Sequence, residues 1–315
     1  MLRYLIRRLL QTVVLLVVVS LVVFALVTQA PGGPSILLDR NMGAEEIARM
    51  RAILGLDQPL HVQYVRWLVQ VLRGHLGFSY QVGLPVLEII QQMLPNTLIL
   101  SAAALVLSLI VAIPAGIISA ARPYTPVDHT VTFLCFFGIS IPVFWFGLML
   151  IVLFSIVLGW LPPGGMRTIG GPASPLDVAR HLILPAIVLG AANMALFARY
   201  TRSSTMAVLR ADYVRTARSK GLAERTVLYR HAFRNALITI VTVVGLQLPR
   251  LVGGAAITET VFAWPGMGSL AVRAAFERDY PMIMGITLVI STVVVFSSLL
   301  VDLVYVYLDP RIRYE

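Results

Sequence analysis

Apolar and polar positions alternate along this chain in long blocks rather than residue by residue. Six stretches are apolar over close to the ~20 residues a helix needs to cross ~30 Å of hydrocarbon. They lie at about 9–28, 96–121, 130–158, 182–201, 236–258 and 282–307. Pro114, Pro142, Pro185 and Pro249 fall inside four of them. Membrane helices tolerate proline where neighbours re-satisfy the freed backbone groups, so kinks are expected at these positions. Small residues recur four apart, as in Ala186–Gly190 and Ala191–Ala195. Such spacing lets helices approach closely, which a lipid-facing surface does not require. The pattern predicts an all-α bundle of six transmembrane helices.

The polar blocks carry their own patterns. The first, about 29–95, contains Gly43 to Gly55 and Pro59 to Arg73, both with helical periodicity and a polar face. The second, about 159–181, is rich in Pro and Gly and reads as irregular loop. The third, about 259–281, holds the turn Trp264-Pro265-Gly266-Met267-Gly268 followed by an amphipathic stretch. These blocks predict an N-terminal transmembrane helix over 1–30, an outside region with short helices over 31–95, a membrane domain over 96–307 and a tail over 308–315.

Composition agrees with a membrane assignment. Of 315 residues, 58% are hydrophobic and 13% charged, with a mean hydropathy of +0.85, against roughly 25% charged in a soluble domain. The formal charge is +10, and 24 of the 25 cations are arginine. They sit in short clusters between apolar runs, which points to cytoplasmic loops rather than to nucleic acid. With the N-terminus inside, the inner segments hold fifteen cations, nine of them between Arg199 and Arg234, and the outer segments hold nine. Five of those nine share the long first loop, where charge counts little, so both termini are expected inside.

The N-terminus invites comparison with a signal peptide. Met1 to Arg8 is basic, Leu9 to Val27 is apolar, and Thr28-Gln29-Ala30 loosely resembles a cleavage site. The apolar run exceeds the 7–15 residues of a signal core, so a retained anchor helix is expected.

Catalytic signatures are missing from the sequence. There is no GxxxxGK[ST] to cradle nucleotide phosphates and no HExxH, and the five histidines, His61, His75, His129, His181 and His231, are scattered. Ser140, in Gly138-Ile139-Ser140-Ile141-Pro142, lacks the second glycine of a nucleophile elbow and reads as a serine bonding back to its helix. Gly266-Met267-Gly268 has neither the preceding strand nor the third glycine of a dinucleotide turn. Cys135 is the single cysteine, so no intrachain disulfide or multi-cysteine metal site can form. An intramembrane hydrolase would have no nucleophile–base pair.

The inner loop from Thr201 to Asn235 is the most informative segment. Within it, the stretch through Ser219 can form a helix that Gly221 terminates. A second helix can begin near Ala223-Glu224 and continue into the fifth span. Two readings are open on physical grounds. The loop is a basic helix attracted to anionic lipid, at about 1 kcal/mol per cation, or it is a rigid knob that docks on a cytoplasmic partner.

The sequence of this loop, DYVRTARSKGLAERTVLYRHAFRNA from Asp212 to Ala236, resembles the signature loop of ABC-importer permeases. Within that group it is similar to the B-type permease of the dipeptide, oligopeptide and nickel uptake family. Ala217 and Gly221 match the general loop pattern, while Arg215-Thr216 stand where Glu-Ala is usual and Arg234 where a proline would be. Further matching stretches are LRYLIRRLL at the start, LGLDQPL at 54–60, GWLPP at 159–163, ETVFAWPGMG at 259–268, RDYP at 278–281 and DPRIRY at 309–314. Together they cover essentially the whole chain. Glutathione-uptake permeases resemble it as well.

The resemblance implies a type I ABC-importer permease fold in the plasma membrane of a prokaryote. It implies a second homologous permease, two cytoplasmic ATPases that bind ATP and Mg, and an extracytoplasmic binding protein that delivers a short peptide or similar solute. No cofactor is expected in this chain. The coupling role falls on Arg215, Thr216, Ala217, Lys220, Gly221 and Leu222, and a side chain at Gly221 would penalise a left-handed turn. A stand-alone channel or membrane scaffold is the alternative, and it would have no use for a helix–glycine–turn facing the cytoplasm.

Charges at membrane depth are the remaining candidates. Arg250 follows Pro249 and precedes Gly253-Gly254, where the fifth helix is expected to break, and at least ~2.5–3.5 kcal/mol opposes a bare charge at mid-membrane. It should face a cavity or a partner such as Glu259, either as a pathway residue or as half of a structural ion pair. Asp302, before Tyr305 and Tyr307, is expected to bond a neighbouring helix near the inner surface. Trp264 reads as an aromatic anchor at the outer interface, and the resemblance makes Trp264, Pro265 and Gly266 a docking surface for the binding protein.

Overall fold

Proline, glycine and polar caps divide this apolar chain into helices, of which Leu2–Thr28, Val86–Ala121, Pro175–Leu209 and Tyr280–Leu308 run longer than the predicted spans and Pro126–Ser140 and Arg234–Gly253 shorter. The structure is a computed structural model that describes residues 2–30, 33–34, 36, 43–171, 174–253 and 255–308. It separates into two compact units. Among the described residues, one comprises those within 2–97 and 265–296, and the other those within 98–264 and 297–308.

The first unit begins with α1 (Leu2–Thr28). Its apolar side chains are exposed almost all round, Leu9, Val14 and Leu26 among them, as expected of a helix surrounded by lipid. The outer region folds as α2 (Ala44–Leu54) and α3 (Leu60–Leu72). Gly43 and the left-handed Gly55 (φ 67°) bound α2, and Pro59 precedes α3, as the sequence predicts. Ser20 of α1 lies 3.0 Å from the Tyr64 hydroxyl of α3, and Phe24 meets the Tyr64 ring edge-on at 5.4 Å.

A long helix, α4 (Val86–Ala121), starts in this unit. Its first turns pack Val86, Ile89 and Ile90 against Met267, Leu270 and Met282. The Ser79 hydroxyl donates to the buried Asp279 carboxylate, 200 residues away in sequence, and accepts from the N–H groups of Gln81 (3.3 Å) and Val82 (3.1 Å). That carboxylate adds to the burial that pushes the Tyr80 phenol up to about 12.

The second unit contains the remainder of α4, then α5 (Pro126–Ser140), α6 (Val143–Leu150) with a π-helical continuation over Ile151–Val157, and α7 (Pro175–Leu209). After α7 come α8 (Asp212–Ser219), α9 (Glu224–Thr226), a π-helical stretch over Val227–Phe233, α10 (Arg234–Gly253) and α11 (Ala256–Val261). The chain then returns to the first unit for α12 (Met267–Phe276) and enters α13 (Tyr280–Leu308).

The small-residue pairs mark close helix contacts. A Cβ on Gly190 would meet Ser108 Oγ at 2.8 Å and the Ala104 carbonyl at 3.0 Å, so α7 and α4 nearly touch backbone to backbone. The Ser108 hydroxyl sits between the carbonyls of Ala104 (2.6 Å) and Gly190 (3.0 Å). One turn-set further, a Cβ on Gly116 would meet Thr201 Cβ at 2.6 Å. On the other side of α7, Gly138 of α5 packs against Ala191 and Ala195.

Among the described residues, α1, α4, α7 and α13 are long and apolar enough to cross a membrane, and α5 with the α6 segment counts as a fifth if that bent pair is one span. The fifth predicted span, 236–258, is occupied by α10, which is shorter and gives way to α11. Only one of the four prolines breaks its helix: the chain turns by 106° between Ser140 and Val143, at Pro142. Helix continues through Pro114, Pro185 and Pro249, so the break expected at Pro249 falls after Gly253 instead. Ser140, expected to bond back to its helix, is exposed at the bend. The DPRIRY segment and the tail lie outside the described residues, as do the side chains of Asp302, Tyr305 and Tyr307.

Candidate functional site

The loop joining α7 to α10 is a folded element rather than a basic tether. At 35 residues, α7 is about 52 Å long at 1.5 Å per residue, well beyond the ~30 Å of hydrocarbon. Ser174 caps its start, accepting from the Asp177 N–H at 3.1 Å, and Pro175 occupies its first turn. The surplus length carries α8 clear of the apolar part of the helix.

α8 is charged on one side and apolar on the other. Val214 and Ala217, one turn apart, are buried with Val227 in a small core flanked by Val208 and Leu209. Asp212 lies in the first turn and Arg218 in the last, each complementing the helix dipole. Lys220 ends the helix, and Gly221 adopts φ 75°. A Cβ at Gly221 would meet nothing within 4 Å. Glycine is therefore needed there for its backbone angle and not for space.

Polar contacts fix the turn that follows. Arg218 reaches across it with Nε donating to Glu224 Oε1 at 2.7 Å and Nη2 donating to Oε2 at 3.3 Å. Asn235 Nδ2 donates to the Tyr213 hydroxyl at 3.0 Å, tying α8 to the start of α10. Thr216 Oγ1 donates to the Asp212 carbonyl at 3.0 Å. The Arg215–Asp212 pair, at 3.7 Å and fully in solvent, adds little.

Of the predicted coupling residues, the structure gathers Arg215, Thr216, Lys220, Gly221 and Leu222 on one exposed surface. Ala217 points the other way, into the loop's own core, and acts by positioning the rest. Val214, Val227, Arg218 and Glu224 were not singled out by the sequence. The spacing of Val214 and Ala217 in an otherwise polar helix was the available signal for the core. The pairing of Arg218 with Glu224 follows only once the turn at Gly221 brings them together.

The second group of candidates is rearranged. Trp264, expected at the outer interface, is fully buried among Leu100, Ala104, Ala186 and Ala255. It is a core side chain rather than an interfacial anchor. Its backbone N–H donates to the Glu259 carbonyl at 2.8 Å, after Ala263 in a left-handed conformation (φ 48°). In the first unit, the Pro265 carbonyl accepts from Asn96 Nδ2 at 2.8 Å, and buried Gly266 starts α12. Thr97 Oγ1 accepts from the Met267 N–H at 2.7 Å. Glu259 is completely buried in α11. The Arg250 side chain lies outside the described residues.

A buried polar cluster absent from the sequence reading joins three helices near the same loop. Asp128, in the first turn of α5, accepts from Arg202 of α7, from the Ser119 hydroxyl of α4 and from the Tyr124 N–H at 2.9 Å. No group of three or more His, Cys, Asp or Glu side chains able to hold a metal occurs among the described residues.

Comparison with known proteins covers the whole chain. The family described as binding-protein-dependent transport system inner membrane component matches residues 112–314, and the family described as its N-terminal membrane component matches residues 1–101. The oligopeptide transport system permease protein AppB of Bacillus subtilis is 43% identical over 313 residues, or 99% of both chains. The dipeptide transport system permease protein DppB of Escherichia coli K12 is 37% identical over 338 residues, spanning 100% of both. Among solved structures, a chain of the MetNI methionine ABC transporter in an inward-facing conformation matches with a TM-score of 0.56 and 16% identity. It covers 71% of this chain and 97% of that one, a likeness of fold.

Proposed function

Because this chain belongs to the family of binding-protein-dependent transport system inner membrane components, we propose that it carries short peptides across the plasma membrane on energy delivered through the α8 loop. It is a multi-pass permease subunit of an ABC importer in a prokaryotic inner membrane. The solute class rests on relatives of matching length that are oligopeptide and dipeptide permeases.

One observation carries the energetic part of the proposal. α8 is held on its inner side by Val214, Ala217 and Val227, while Arg215, Thr216, Lys220, Gly221 and Leu222 are exposed. A lipid-attracted helix would present its apolar side chains outward, whereas α8 turns Val214 and Ala217 into the loop core and leaves Tyr213 exposed. A docking knob needs the reverse arrangement, which is the one found.

In this reading two cytoplasmic ATPases bind ATP and Mg, a second homologous permease completes the membrane pathway, and an extracytoplasmic binding protein supplies cargo. The exposed face of α8 seats in an ATPase. Movement of that ATPase is passed to α7 and α10 because the loop core and the Arg218–Glu224 and Tyr213–Asn235 contacts leave the knob no slack. Purification of the tagged chain from its native membranes in mild detergent tests this assembly. Recovery of a second permease and ATPase subunits is expected, and recovery of the chain alone or as a homo-oligomer would favour a stand-alone channel or scaffold.

A further inference from the structure

A cavity of about 250 Å³ lies in the second unit at the bend between α5 and α6, lined also by α7, α10 and α11. Its walls are apolar, with Ile141, Phe146 and Val188, but three neutral polar side chains reach it: Asn193 of α7, Gln247 of α10 and Thr258 of α11. Neither amide makes a hydrogen bond among the described residues. The Thr258 hydroxyl is buried without a partner, on a residue that is 1% exposed. An unpaired buried polar group costs about 1–3 kcal/mol, so the Thr258 hydroxyl is one that stability alone does not explain, and the two half-buried amides stand beside it on the same cavity wall.

The backbone of the bend adds to the set. Gly138 lines the cavity, and Pro142, four residues on, has no N–H to offer its carbonyl. Irregular backbone at membrane depth persists where it lines a cavity, and interrupted helices commonly form the solute sites of transporters.

We infer that this cavity is a contact site for the main chain of a peptide in transit, with Asn193, Gln247 and Thr258 exchanging hydrogen bonds with its amide groups. An amide side chain both donates and accepts, as a peptide bond does. None of the three groups carries charge, so the contacts do not select among cargo side chains or termini. The cavity falls below the ~300–1,000 Å³ of ligand pockets that enclose a whole drug-sized molecule, so it takes one short section of the peptide at a time. This inference rests on peptides being the cargo.

The test uses the complete transporter in proteoliposomes, with binding protein and ATP, and follows uptake of tripeptides that differ in side-chain charge. Gln247→Met and Asn193→Leu keep size and remove no hydrogen bond among the described residues. Each should lower uptake about three- to tenfold, equally for acidic, basic and neutral tripeptides. Subunit assembly and binding-protein-stimulated ATP hydrolysis should stay at wild-type levels, and Thr258→Val, which removes a buried unpaired hydroxyl, should unfold no earlier than wild type. Unchanged uptake in both amide variants would overturn the inference, as would losses confined to one cargo charge or losses matched by failed assembly. If the wild-type complex takes up no peptide, the cargo assignment itself fails, and that result is distinct from the others.

Discussion

Arg202 holds Asp128 through two parallel hydrogen bonds, Nε to Oδ1 and Nη2 to Oδ2, each 2.7 Å long. This forked geometry is the strongest form of the ion pair. It joins the start of α5 to the inner end of α7, while Ser119 brings in α4. The same carboxylate accepts the N–H of Tyr124, whose φ of 62° is unusual for a side-chain-bearing residue. One buried group thus fixes three helices and the tight turn between two of them.

Removing one partner of this pair should be costly. Arg202→Ala would leave the Asp128 carboxylate, 2% exposed in the native chain, without its counter-charge, a loss of about 3–5 kcal/mol. Thermal unfolding of the purified permease should show a lowered transition, and Asp128→Ala combined with Arg202→Ala should lose less than the sum of the single losses. Additive losses would mean that the two side chains do not act as a unit.

Gly116→Ala tests the helix contact between α4 and α7. The added methyl would sit 2.7 Å from the Ala198 carbonyl and 2.6 Å from Thr201 Cβ. Backbone must move to admit it, so about 1–3 kcal/mol should be lost, read as reduced yield of monodisperse protein and earlier thermal unfolding. Wild-type behaviour would show that α4 and α7 do not approach this closely.

Trp264→Ala separates a core role from an interfacial one. As the centre of a buried cluster, its truncation should cost about 3–5 kcal/mol, and the variant should unfold well below the wild type in detergent. A detergent-stable variant impaired only in transport would mark an exposed docking side chain instead.

The Arg218–Glu224 bridge makes the opposite kind of prediction. Both side chains are largely in solvent, so the pair contributes no more than about 1 kcal/mol to stability. Its consequence lies in the orientation of the knob. Arg218→Glu or Glu224→Arg should leave folding intact and reduce ATP-driven uptake severalfold, and the exchanged pair should recover most of it. Equal uptake in all three variants would remove the bridge from the coupling path.

Local signals carried much of this fold. Gly43, Gly55 and Pro59 bound two short helices whose limits could be read to within a residue or two, because their start and stop signals lie in the segment itself. Gly221 marked the end of α8 for the same reason. What remained hidden depends on distant partners. Asp128 and Arg202 are 74 residues apart, and each alone looks like an ordinary charge at a loop edge. Trp264 is buried by Leu100 and Ala186, which no local pattern connects to it. Four prolines lie within apolar stretches and look alike in sequence, yet Pro142 alone ends its helix, because the outcome depends on whether neighbouring groups re-satisfy the backbone. The full length of α7 was underestimated because hydropathy reports the part in hydrocarbon and not the polar extension that carries the loop.

The most direct test of the account concerns Gly221. Placing a β-branched side chain at φ 75° costs roughly 1–2 kcal/mol of left-handed strain and meets no steric neighbour. Gly221→Val should therefore distort the knob without harming the membrane bundle. In proteoliposomes containing the complete transporter, peptide uptake and ATP hydrolysis should be measured together for this variant and the wild type. The account predicts normal subunit assembly, loss of most uptake, and hydrolysis that no longer rises when loaded binding protein is added. Uptake and stimulation equal to wild type in an assembled Gly221→Val complex would contradict coupling through this loop.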